Sequence, residues 1–89
     1  MIVNWSRHCR LRVMERIASY NIYYGDMESE IIKQVIKIKQ DSNLIKTIFK
    51  VDDIYLTAIK KENKTFLKVI TIWESTQEEA EIWKKKQYA

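Results

Sequence analysis

The chain has 89 residues, 46% of them hydrophobic and 31% charged, which leaves room for one domain with one core and carries too much apolar material for a disordered tail. One cysteine and one histidine, Cys9 and His8, exclude an internal disulfide and a four-ligand zinc module; no stretch approaches the ~20 apolar residues of a membrane helix, and no apolar leader follows Met1. No proline and a single glycine, Gly25, argue against a Gly-rich phosphate loop, so composition predicts a soluble, cytoplasmic domain without metal or cofactor, stable by about 4–13 kcal/mol at the per-residue average.

Residues 1–5 are short and apolar and read as a lead-in that packs against the body of the domain. Ser6 reads as an N-cap, its hydroxyl placed to accept from a free amide of the next turn, and a first helix is expected over Arg7–Ala18. At about 100° per residue, Leu11, Val13, Met14, Ile17 and Ala18 share one arc, and His8, Arg12, Glu15 and Arg16 share the opposite one. Arg10 falls within the apolar arc and Arg7 near its edge, positions suited to the open end of the helix or to snorkelling.

The charge is unevenly spread. Of the net +4, residues 1–16 supply +3, with four arginines against Glu15, and every basic residue after Arg16 is lysine. Guanidinium is a planar fork matched to phosphate or carboxylate, whereas the lysine ammonium is a mobile point charge. A first helix that concentrates arginine therefore points to an anionic partner, the plainer alternative being a solvated helix face.

Residues 19–25 (SYNIYYG) read as a turn carrying three tyrosines. Asp26 is the expected cap of a second helix over Met27–Lys37, with Met27, Ile31, Val35 and Ile38 at helical spacing; residues 35–39 (VIKIK) also alternate like a strand. After a turn at Asp41-Ser42-Asn43, three strands are expected at Leu44–Val51, Ile54–Lys60 and Lys64–Trp73, separated by Asp52-Asp53 and Lys61-Glu62-Asn63. Such short connections imply an antiparallel meander, covered by the helices on one side. A last helix opens with a capping box, Ser75 with Glu78 or Thr76 with Glu79, and carries an apolar stripe of Ala80, Ile82 and Trp83. The expected architecture is α+β: two N-terminal helices packed on a three- to four-stranded antiparallel sheet, plus a C-terminal helix, in one domain over residues 1–89.

The first helix, W-S-R-H-C-R-L-R-V-M-E-R, sets His8, Arg12 and Arg16 at i, i+4 and i+8. This resembles the S-x-H-x3-R-x3-R signature of a family of small bacterial, archaeal and phage proteins of unassigned function, similar to the RelE and BrnT toxins of the barnase, EndoU, colicin and RelE superfamily. The closing strand of that pattern is matched by Val69-Ile70-Thr71-Ile72-Trp73, so the resemblance spans about residues 4–74 and leaves 75–89 as a helical extension. The chain departs from the pattern between the two helices, where Ile17–Ile22 stands in place of the family's glycine.

The resemblance implies metal-independent chemistry on RNA. Such cleavage requires a base at the 2′-hydroxyl, an acid at the leaving 5′-oxygen and cations at the phosphorus. His8 is the one side chain of the type that exchanges protons readily near neutral pH, and Arg12 and Arg16 follow it at one-turn steps, so these three are the expected catalytic residues. A second acid or base, from a tyrosine or lysine of the sheet or the 20–24 turn, is not identified by the sequence. Arg7, Arg10, Tyr23 and Tyr24 are the expected RNA contacts, the tyrosines by stacking. Trp5 and Trp73 are assigned to the core, Trp83 to anchoring the last helix. Cys9 is set aside as a nucleophile because adjacent helix residues diverge by about 100°.

A structural alternative has His8, Arg12 and Arg16 pairing with Asp52, Asp53 or Glu74 to fix helix to sheet. At the level of function the reading is a RelE- and BrnT-like RNA-binding protein, or a metal-independent endoribonuclease, with RNA or the ribosome, an antitoxin-type protein or a second copy of the chain as partners. The alternative is a non-catalytic phage or mobile-element module whose arginine stripe meets an acidic protein surface.

Overall fold

The computed structural model describes residues 2–33, 36–41 and 43–88. Chain order is β1 (Ile2–Trp5), α1 (Arg7–Arg12), a π turn (Val13–Ile17), a 3-10 turn (Ala18–Tyr20), α2 (Tyr24–Lys33), β2 (Lys37–Lys39), β3 (Leu44–Val51), β4 (Ile54–Glu62), β5 (Phe66–Glu74) and α3 (Gln77–Tyr88). The sheet has five strands in the order β1-β5-β4-β3-β2. β2 to β5 pair antiparallel, but β1 lies parallel to β5, Trp5 opposite Val69. The expected three- to four-stranded antiparallel sheet is thus corrected to a five-stranded mixed one. The supposed lead-in is an edge strand, paired with the last strand of the sheet, and no local pattern in four residues encodes a partner more than sixty positions away.

A second correction concerns the layers. Register puts Leu56, Ala58, Lys60 and Glu62 of β4 on one face with Phe49, Leu67 and Val69, and this face lies under the N-terminal helices, α1 over β5 and α2 over β3. There Trp5, Cys9, Val13, Ile17, Ile22, Met27 and Ile31 close over Phe49, Leu56, Ala58, Leu67, Val69 and Ile72 as the main core. The opposite face is covered by α3: Lys46 pairs with Glu79 at 2.7 Å, and Tyr55 meets Trp83 edge-on at 5.5 Å. Lys46 and Lys50 on this face turn to the Glu79 carboxylate and to the Tyr55 and Trp83 rings, and Ile48 between them is buried. Helices therefore lie on both sides of the sheet.

The first helix is α-helical only over Arg7–Arg12. It widens at Val13–Ile17, where the Ala18 N–H reaches back five residues to the Val13 carbonyl, and ends at Asn21, whose left-handed backbone (φ 59°) lets its N–H bond the Ala18 carbonyl. The extra residue in the turn keeps Cys9, Val13 and Ile17 in one row toward the sheet. Leu11, Met14 and Ala18, expected in the core, are exposed, Met14 at 71%.

Ser6 caps α1 as expected, accepting from the Cys9 N–H at 3.1 Å, and donates its hydroxyl to the Ile70 carbonyl at 2.6 Å. Ile70 is the residue skipped where β4 and β5 lose register, Ile59 facing Thr71 and Lys60 facing Val69, so the serine satisfies a carbonyl freed by the bulge. α2 starts three residues before the expected Met27, with Asp26 accepting from the Tyr23 N–H at 3.3 Å; Val35, placed in it by periodicity, lies outside the described residues, as does Ser42 of the 41–43 turn. β4 continues through Glu62, and the turn shifts to Asn63, whose Oδ1 accepts from the Thr65 and Phe66 amides at 2.9 Å each. Among the described residues no helix is long and apolar enough to cross a membrane.

Candidate functional site

Because Cys9, Val13 and Ile17 are drawn toward the sheet, the neighbouring rows of the same helical segment face outward. Arg7, His8, Arg10 and Arg16 are exposed and Arg12 is half-buried. His8 and Arg12 line one shallow depression of about 260 Å³ with Leu11 and Glu15; Arg16 continues the row beyond its lining. The structure thus brings together two of the three expected catalytic residues and adds Glu15. That carboxylate shares their arc on the helical wheel, whereas the sequence reading looks to tyrosines and lysines for the second acid or base.

None of the four arginines, and not His8, makes a side-chain hydrogen bond or ion pair among the described residues, whereas all five ion pairs seen there use lysine: Lys33, Lys37, Lys46, Lys60 and Lys84. The alternative in which His8, Arg12 and Arg16 fix the helix through Asp52, Asp53 or Glu74 is thereby corrected. Glu74 instead accepts a hydrogen bond from the Tyr20 hydroxyl, and this bond to the carboxylate raises the phenol above its ordinary value. Arginine is the side chain best made for planar ion pairs. Here structural pairing falls to lysine and the guanidiniums are left to solvent.

The expected tyrosine contacts divide. Both reach solvent, Tyr23 at 69% and Tyr24 at 36%, but Tyr24 also sets its ring edge-on to Trp5 at 5.0 Å. Trp5 is core and donates its indole N–H to Glu28 at 2.7 Å. Cys9 is fully buried and burial pushes its thiol up to about 12, so it is no nucleophile at neutral pH. Among the described residues no three His, Cys, Asp or Glu side chains lie together to hold a metal ion.

A second group of charges lies where β4 ends, beside β2. Lys60 is fully buried with its ammonium 2.6 Å from Glu62 Oε1, and Lys37 reaches Glu62 Oε2 at 3.1 Å. Burial pulls the Lys60 ammonium down from its ordinary value; burial also works to raise Glu62, but the two lysines outweigh it and hold that carboxyl low. On the opposite face Lys61 and Lys68 stand directly across from each other, both exposed.

No family model matches the chain, and neither a curated protein nor a solved structure is detectably similar to it.

Proposed function

We propose that the protein binds RNA through its first helical segment, with Arg12 and Arg16 beside His8 on backbone phosphates and exposed Arg7 and Arg10 flanking them. The observation that carries this reading is the set of unpaired guanidiniums. Four fixed-charge forks within one short segment, none engaged by a carboxylate among the described residues, concentrate positive charge that a phosphate chain can neutralise. The resemblance of the helix motif to RelE- and BrnT-like proteins favours RNA as that chain, and exposed Tyr23 offers a stacking face.

Binding to a fluorescent single-stranded RNA, followed by anisotropy from 50 to 200 mM salt, tests the reading. Wild-type affinity should fall steeply, and each of Arg12→Ala and Arg16→Ala should reduce the log–log salt slope by about 0.7. A slope near zero, or one unchanged in both variants, removes the helix face from the function.

A cleaving version of this reading is favoured by one grouping, the shared depression of His8, Arg12 and Glu15. The Glu15 carboxylate would take the proton of a 2′-hydroxyl, whose oxygen attacks phosphorus to give a 2′,3′-cyclic phosphate. His8 would pass its proton to the departing 5′-oxygen, and Arg12 would hold the non-bridging oxygens. In excess EDTA, wild-type protein should shorten labelled RNA while His8→Ala and Glu15→Gln leave it intact and keep binding it. Uncut RNA with wild-type protein leaves a binding protein; equal cutting by His8→Ala takes His8 out of the chemistry.

A further inference from the structure

We infer that the exposed sheet face at the β4–β5 end, around Lys61, Lys68 and Phe66, is a second contact for single-stranded RNA, in which Phe66 stacks a base and the two lysines hold its flanking phosphates. The inference deepens the RNA-binding reading but rests on a different surface. Lys61 and Lys68 are direct cross-strand partners, and like charges opposite each other in a sheet repel. Neither has a carboxylate within ion-pairing distance among the described residues; the nearby Glu62 spends both oxygens on Lys60 and Lys37. Two residues from Lys68 on the same face stands Phe66, a large apolar ring left 37% exposed beside exposed Ile2. Lys61, Lys68 and Phe66 line one depression of about 440 Å³ with Asn43, Asn63 and Glu62, whose carboxylate is taken up by Lys60 and Lys37.

Two uncompensated cations, an aromatic face and amide donors in a space of that size match the parts of one nucleotide: phosphate, base plane and base edge. The Asn63 Oδ1 is occupied by the Thr65 and Phe66 amides, which fixes the side chain and leaves its amide nitrogen to donate outward. α3 covers the Tyr55 and Trp73 part of this face and the side chains at the β4–β5 end remain exposed. A bare polyanion site would need the lysines alone; the exposed ring between strand end and lysines is what specifies a base-bearing strand.

The test compares Phe66→Ala, the double variant Lys61→Ala/Lys68→Ala and Arg12→Ala on two probes, a fluorescent single-stranded RNA decamer and heparin, each variant first shown by thermal melting to be folded. Phe66→Ala should weaken RNA binding at least about five-fold and leave heparin binding unchanged, because heparin has no base to stack. The double lysine variant should weaken both. If Arg12→Ala alone lowers RNA affinity and the sheet variants bind as wild type, the sheet contact is overturned while the helix reading stands. Loss in the sheet variants with unchanged Arg12→Ala supports the sheet contact and overturns the helix reading, and a wild-type protein that ignores RNA overturns both. Equal weakening of RNA and heparin by Phe66→Ala would show a packing role for the ring and would also overturn the stacking claim.

Discussion

Glu79 joins three elements through one carboxylate. Its Oε1 accepts from the Thr76 amide at 2.9 Å and the Trp73 indole at 3.0 Å, and its Oε2 meets Lys46 at 2.7 Å, with only 5% of the residue exposed. Burial alone would raise this carboxyl, but the Lys46 ammonium, the Thr76 amide and the Trp73 N–H prevail and lower it from 4.5 to about 2. A carboxyl depressed by folding adds stability that is fully present above its unfolded value and is lost as pH falls from there through the folded value. Thermal melting should therefore show wild-type protein losing about 3 kcal/mol between pH 4.5 and 2 through this one group, and Glu79→Gln should be less stable by a similar amount at pH 7 with a flatter profile below pH 4.5. Parallel acid profiles for wild type and variant would remove Glu79 as the clamp between α3 and the sheet.

At the scale of elements, α1 and α2 are stabilised at their starts in opposite ways. Ser6 both caps α1 and fills the bond freed by the β5 bulge, so Ser6→Ala should cost about 1–3 kcal/mol, more than a surface cap alone, because a half-buried carbonyl loses its donor. Gly25 lies in the first turn of α2 with ordinary backbone geometry and nothing within 4 Å of the place a Cβ would take. Gly25→Ala should raise stability by about 0.4–1 kcal/mol in the same melting assay, and a loss would mean the turn is strained. The contrast between these two positions also shows what the sequence could convey. The serine cap, the Thr76–Glu79 capping box and the Leu44–Val51 strand were legible, because each is set by neighbours within a few residues. The parallel pairing of β1 with β5, the bulge at Ile70 and the π turn were not, since each follows from contacts made across the whole chain. The buried row runs through Cys9, Val13 and Ile17, which leaves Leu11 and Met14 exposed, so the apolar arc of an ideal helix names part of the wrong core while the His8–Arg12–Arg16 row stays out of the core as expected.

Across the whole molecule, attraction and repulsion of charge are segregated. Lysines join separate elements through Glu62 and Glu79 and pair within helices with Glu30 and Glu81, while the arginines of the first helical segment and the Lys61–Lys68 pair are left without counterions among the described residues. An arrangement of this kind costs stability in the free protein and should be relieved by substitution: Lys68→Glu, which sets a carboxylate opposite Lys61, should stabilise the fold by about 0.2–1 kcal/mol while weakening RNA binding. The candidate site was partly legible: His8, Arg12 and Glu15 share one arc of the helical wheel, but only the depression they line together sets that carboxylate beside the histidine as a group of interest. The proposal that the free guanidiniums meet phosphates is tested first by the salt dependence of single-stranded RNA binding by wild-type protein beside an Arg12→Ala/Arg16→Ala variant. The wild-type slope should be steep and that of the double variant smaller by about 1.4, with the melting temperature nearly unchanged because neither side chain has a structural partner among the described residues. An unchanged slope, or a double variant that unfolds, would contradict the claim.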